Sequence, residues 1–172
     1  MTAKKFRDGI AEKIRDQIFG ATDGTISTLA VVAGVSGANV SNFIILIAGA
    51  SAMLAEAISM GFSSYISTKV KEDILVARRG RSDGEKPVSE GITFWLATLG
   101  GGFVPIIPFL LPIRAHLVVS VVLSMVFLFS IGAYAGKATG TPWLKKGLQT
   151  AAIGLVAAAI TYAVGHGFSL IK

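Results

Sequence analysis

Three side chains stand out for chemistry in an otherwise apolar stretch of this chain: Asp23, Glu56 and Met60. Between Asp23 and Thr68 the only other charged residue is Glu56. On insertion scales an ionised acid at the centre of a membrane helix costs about 2.5 to 3.5 kcal/mol, and less near the interface, so neither acid is expected to face lipid. Glu56 and Met60 share a helix face by their i, i+4 spacing, and Met53, Ser63 and Ser67 extend that stripe. Oxygen ligands suit hard divalent ions, while a thioether shifts preference toward softer transition metals. The mixture therefore points to a first-row ion such as Fe²⁺, Mn²⁺ or Zn²⁺. Carboxylates also release protons when metal binds, a physical basis for exchanging one for the other. Each residue has a plainer reading as well. Asp23, followed by Gly24, Thr25 and Ile26, could cap a helix N-terminus. Met60 could be packing, and Glu56 could be a protonated acid held by a hydrogen-bond partner.

The elements that must position these residues follow from the charge-free runs. Of the 172 residues, 52% are hydrophobic and 15% charged. An average soluble chain has about 25% charged, which argues against an ordinary water-soluble globule. Residues 91–113, 115–136 and 147–171 carry no Asp, Glu, Lys or Arg. Each is long enough for a helix to cross about 30 Å of hydrocarbon. The polar, small-residue break at 36–42 divides the preceding stretch into spans near 19–35 and 42–67. The expected fold is an all-α membrane protein with five transmembrane helices. Residues 1–18 precede them as an amphipathic interfacial helix, with Phe6, Ile10, Ile14 and Ile18 on its apolar face. Pro105, Pro108 and Pro112 should kink or unwind the exit of the third span. Gly20 with Gly24, and Gly132 with Gly136, have the four-residue spacing that permits close helix contact.

Charge placement orients the chain. Lys4, Lys5, Arg7, Lys13 and Arg15 precede span one. Lys69, Lys71, Arg78, Arg79, Arg81 and Lys86 follow span two, and Lys137, Lys145 and Lys146 follow span four. With five spans these share one side, leaving only Arg114 and Lys172 opposite. The positive-inside rule then puts the N-terminus in the cytoplasm and the C-terminus outside or in a lumen. The net charge of +6 is segregated in this way, so the expected partner is a lipid bilayer and not nucleic acid. At 1.5 Å per residue, Asp23 falls roughly 6 Å and Met60 roughly 10 Å from the inner side, so the two can be neighbours. Glu56 is one turn deeper.

Enzyme chemistry finds no support. No H-E-x-x-H, G-x-S-x-G or phosphate-binding glycine loop is present. The chain has no cysteine, which excludes thiolate metal sites and Cys nucleophiles. His116 and His166 lie toward the outer ends of spans four and five without acidic companions and read as interfacial side chains. Gly100, Gly101 and Gly102 read as a flexible or tightly packed helix segment. No permanently bound cofactor is expected.

At these residues the chain resembles the vacuolar iron transporter family, membrane exchangers of ferrous iron or manganese against protons. The matching stretches are 23–34 (DGTISTLAVVAG), 59–67 (SMGFSSYIS), 101–111 (GGFVPIIPFLL) and 154–165 (GLVAAAITYAVG), which touch four of the five spans in order. The resemblance implies a five-helix fold, a homodimer with the ion path near its two-fold axis, and metal contacts at Asp23 and Met60. Glu56 stands where the family often has an acid. Two departures accompany it: Ser63 and Ser64 replace a Gly and a Glu of the family pattern, and residues 69–90 are too short for the Glu-rich insert of iron-transporting members. The expected function is proton-coupled export of Fe²⁺ or Mn²⁺ from the cytoplasm. The competing expectation is a non-transporting membrane protein that keeps the fold for packing or partner binding.

Overall fold

The computed structural model describes the backbone of residues 3–80, 82 and 84–171, with side chains described from residue 14 onward. Five α-helices follow one another: α1 (Ala3–Gly37), α2 (Asn42–Arg79), α3 (Pro87–Phe103), α4 (His116–Thr139) and α5 (Trp143–Ser169). A short 3-10 helix, Ile107–Leu110, lies between α3 and α4. No strand occurs among the described residues, and the chain is an all-α membrane protein. Four helices contain stretches long and apolar enough to cross a bilayer: Ile14–Gly37, Asn42–Arg79, His116–Thr139 and Trp143–Ser169.

Two element boundaries differ from those expected. Residues 3–18 of the expected interfacial segment and the first span join without a break in α1, since nothing between Arg15 and Gly24 is a strong helix breaker. Among the residues expected on the apolar face, the side chains of Phe6 and Ile10 lie outside the described residues. The helix expected over 91–113 stops at Phe103. Pro105 is the cause: Val104 keeps helical dihedrals, but the proline lacks the N–H that would continue the ladder to Gly101 O. At 17 residues, α3 is about 25 Å long, short of a full hydrocarbon thickness, and the 3-10 helix continues the path.

The proline break orphans specific carbonyls, and neighbouring helices satisfy them. Gly101 O would receive the N–H of residue 105 in a continuous helix, but that residue is proline. Thr25 of α1 donates to it instead, with Oγ1 at 2.9 Å, and Val104 N–H is 3.2 Å away. Ser120 of α4 donates to Pro105 O at 2.7 Å. Thr25 and Ser120 are both fully buried. Irregular backbone at membrane depth persists only where protein supplies such partners.

Helix α1 is the centre of the bundle, packing against α2, α3, α4 and α5, while α2 pairs with α3 and α4 with α5. Small residues make this possible, because lipid offers no hydrophobic drive for helices to associate and close backbone approach must do the work. A Cβ on Gly24 would sit 2.2 Å from Thr98 O, and one on Gly101 would sit 2.1 Å from Ala21 O. At the other end of α1, a Cβ on Gly165 of α5 would lie 1.8 Å from Gly34 O. Gly132 and Gly136 likewise bring α4 onto Thr150, Lys146 and Trp143 of α5. Gly101 and Gly102 are tightly packed, whereas Gly100 faces open space. Apolar side chains such as Ile44, Leu54, Ile58, Phe62, Val122 and Ile160 are exposed around the outside, as expected of lipid-facing surface.

Candidate functional site

Asp23 sits well inside the unbroken helix α1. The backbone amides after it already belong to that helix, which removes the N-cap reading and leaves the carboxylate for another role. Glu56 is in the middle of α2, half-buried, facing α1. The Ser27 hydroxyl donates to Glu56 Oε2, and Ser27 Oγ also lies 2.9 Å from the backbone carbonyl of Asp23. The Asp23 and Glu56 carboxyl groups are close enough to interact with one another. Two ionised acids that interact in a medium of low dielectric repel, so the pair is stabilised by a counter-cation or a shared proton.

The antiparallel register of α1 and α2 fixes the level of Met60. A Cβ on Gly49 would meet Val32, Thr28 and Met53 meet over Gly102, and Ser27 bonds Glu56. One further turn along both helices brings residue 23 level with residue 60. Met60 is half-buried there. The rest of the stripe divides. Met53 is buried against Gly102 of α3 and serves packing, while Ser63 and Ser67 are exposed further toward the C-terminal end of α2. Among the described residues no group of three or more His, Cys, Asp or Glu side chains forms a metal-ready cluster. The site is therefore two acids, a hydroxyl bonded to Glu56 and to the Asp23 backbone, and a thioether at the level of Asp23.

Ser27 was not among the residues singled out from sequence, although its i, i+4 relation to Asp23 puts it on that face. The two histidines are occupied elsewhere. His116 Nδ1 lies 3.1 Å from Asn42 Nδ2 and its Nε2 3.1 Å from Leu111 O, with its ring stacked on Phe109. His166 stacks on Tyr162. Both serve the end of the bundle remote from the N-terminal segment, away from the acid pair.

Comparison with known proteins decides the affiliation. The model of the VIT family matches residues 14–85 and 78–166, two pieces that meet in the connector between α2 and α3. This chain belongs to the VIT family. It is similar to Vacuolar iron transporter 1 of Arabidopsis thaliana, 28% identical over 220 aligned positions covering 94% of this chain and 87% of that protein. Vacuolar iron transporter 1 of Eucalyptus grandis is 28% identical, with 88% and 84% covered. Vacuolar iron transporter homolog 2 of Oryza sativa subsp. japonica is 30% identical over 176 positions, with 94% and 93% covered. The Arabidopsis alignment is longer than the 172 residues of this chain, so that relative carries sequence this VIT chain lacks. The rice alignment, at 176 positions, is much closer to the length of this chain. The chain is thus a short-form member of a transporter family, and not an enzyme.

The short connector is built to stay compact. Gly80 ends α2 in the left-handed conformation at φ 65°. Glu72, buried in the last turns of α2, accepts from the Ser82 hydroxyl and from Glu85 N–H at 3.2 Å. Lys71 pairs with Glu85 at 2.5 Å. The carboxylates of Glu72 and Glu85 therefore tie the described part of the connector back onto α2 in this VIT member.

Proposed function

We propose that this VIT-family chain exports a divalent transition metal, Fe²⁺ or Mn²⁺, from the cytoplasm in exchange for protons. The observation that carries the reading is the Asp23–Glu56 pair, held by α1 and α2 inside stretches otherwise free of charge. A membrane protein tolerates buried acids where ions or protons pass. In this reading Asp23 and Glu56 bind cation or proton in alternation. Met60 at the level of Asp23 favours transition metals over Ca²⁺ and Mg²⁺. The names of the plant relatives support iron; the oxygen-rich donor set admits manganese equally.

The protein works as a homodimer in this reading, with the half-buried Met60 side of α1 and α2 turned toward the partner. The N-terminus is cytoplasmic and the C-terminus lies outside or in a lumen, which the segregation of Lys and Arg supports. A non-transporting role is the second reading, and the occupation of one Glu56 oxygen by Ser27 favours it.

Proteoliposomes containing a pH-sensitive dye separate the two. Inward Mn²⁺ or Fe²⁺ gradients should drive proton movement. Asp23→Ala and Glu56→Ala should each slow it by at least about tenfold, the consequence of losing roughly 1.4 kcal/mol of cation stabilisation. Unchanged metal-driven proton movement in both variants would refute the exchanger and leave the scaffold reading.

A further inference from the structure

We propose that Ser27 is the third oxygen donor of the cation site, with a hydroxyl proton that turns from Glu56 to the Asp23 backbone carbonyl when metal enters. The inference rests on the reading of Asp23 and Glu56 as a cation site, and it extends that site to a residue carrying no charge.

A serine hydroxyl has one proton to donate and two lone pairs. Ser27 has three acceptors around it: Glu56 Oε2 and, on its own helix, Asp23 O at 2.9 Å and Gly24 O at 3.5 Å. One proton cannot serve them all. Donation to Glu56 stabilises the empty carboxylate in a setting poor in water. Donation to Asp23 O is the ordinary back-bond of a helical serine, available by rotation about the C–O bond alone. In that second state the lone pairs of Oγ face the space between α1 and α2, where the Glu56 carboxylate already lies against them.

A divalent cation bound through Glu56 Oε2 competes with the hydroxyl proton for the lone pairs of that oxygen. The cation displaces that proton to the Asp23 carbonyl, and the Ser27 oxygen is left pointing at the metal. Hydroxyl oxygen is a competent ligand for hard divalent ions, as the Ser or Thr that follows the lysine of a nucleotide-binding loop is for Mg²⁺. With no third titratable group clustered with the two acids among the described residues, a neutral oxygen adds coordination without adding a charge that would have to be neutralised in the membrane. The same rotation re-caps Glu56 when the metal leaves, with no backbone movement.

The chain has no cysteine, which makes a chemical test selective. The Ser27→Ala, Ser27→Thr and Ser27→Cys variants, with Asp23→Ala and Glu56→Ala beside them, are reconstituted and their initial rates measured against Mn²⁺ and Cd²⁺ concentration. Ser27→Ala should raise the KM for Mn²⁺ several-fold with a smaller effect on maximal rate, and Ser27→Thr should restore it. Ser27→Cys should shift apparent affinity from Mn²⁺ toward Cd²⁺ by about tenfold, because thiolate sulfur selects softer ions. A merely structural serine predicts the same loss for both metals. If the Asp23 and Glu56 variants abolish flux while Ser27→Cys leaves the Cd²⁺ to Mn²⁺ preference unchanged, the Ser27 assignment is overturned alone. If Asp23→Ala and Glu56→Ala are without effect, the underlying cation site fails and this proposal fails with it.

Discussion

Replacing Thr25 by Val should destabilise the protein only as long as Pro105 is present. Thr25 is wholly buried, and its hydroxyl lies 2.7 Å from Ala21 O and 2.9 Å from Gly101 O. Ala21 O keeps its own helical N–H partner when the hydroxyl is lost. Gly101 O does not, because its partner four residues on is Pro105, and it keeps only the Val104 N–H at 3.2 Å. Side-chain hydrogen bonds between membrane helices average about 0.6 kcal/mol and reach about 1.7. A buried carbonyl left underbonded lies toward the upper end, so Thr25→Val should cost roughly 1 to 2 kcal/mol. Pro105→Ala returns an N–H to position 105, which can reach Gly101 O. In that background Thr25→Val should cost less by about 1 kcal/mol, a coupling that a double-mutant cycle isolates. Reversible unfolding in mixed micelles, followed by helical circular dichroism for the four proteins, measures it. Equal costs of Thr25→Val in both backgrounds would refute the claim that the hydroxyl substitutes for the missing proline N–H.

The glycine contacts give a paired test on one helix. A Cβ at Gly101 would collide with Ala21 O, so Gly101→Ala should cost about 1 to 3 kcal/mol through forced separation of α1 from α3. Gly100→Ala meets nothing and should be neutral or stabilising by roughly 0.5 to 1 kcal/mol; a melting series in detergent reads both, and equal shifts would contradict the packing. The connector can be tested together with the proposed topology. Trypsin should reach Arg78 and Arg79, exposed at the end of α2, only in vesicles whose cytoplasmic face is outward. Glu72→Ala should speed that cleavage by about fivefold or more, through release of Ser82 and Glu85. Cleavage from the opposite face would reverse the orientation.

The residues with charge were legible because a carboxylate in an apolar run is a one-dimensional signal. Asp23 and Glu56 needed only counting, and helix rise alone brought Met60 to the level of Asp23. The helix-forming stretches were legible for the same reason. The join of residues 3–18 to the first span was signalled only by the short length of that span, because a change from charged to apolar composition marks a change of solvent and need not mark a change of backbone. Ser27 was missed because a serine in a membrane helix ordinarily bonds its own backbone, and nothing local distinguishes one that also faces an acid on another helix.

Proline and glycine carried more tertiary information than their usual role as punctuation implies. Pro105 announces an orphan carbonyl at residue 101, and so requires a buried donor from elsewhere in the fold. The sequence does not say that Thr25, 76 positions away, is that donor, but it sits one turn from Ala21, whose carbonyl Gly101 allows to approach. The close contact and the hydrogen bond therefore have one cause. Gly24 and Gly101 let α1 and α3 meet at backbone distance, and at that distance a threonine on one helix can complete the broken backbone of the other. The same α1 segment carries Asp23 and Ser27 on its α2-facing side. Its position against α3 thus fixes where the acid pair can form, and the packing and the chemistry of this membrane protein converge on a single helical stretch from Gly20 to Thr28.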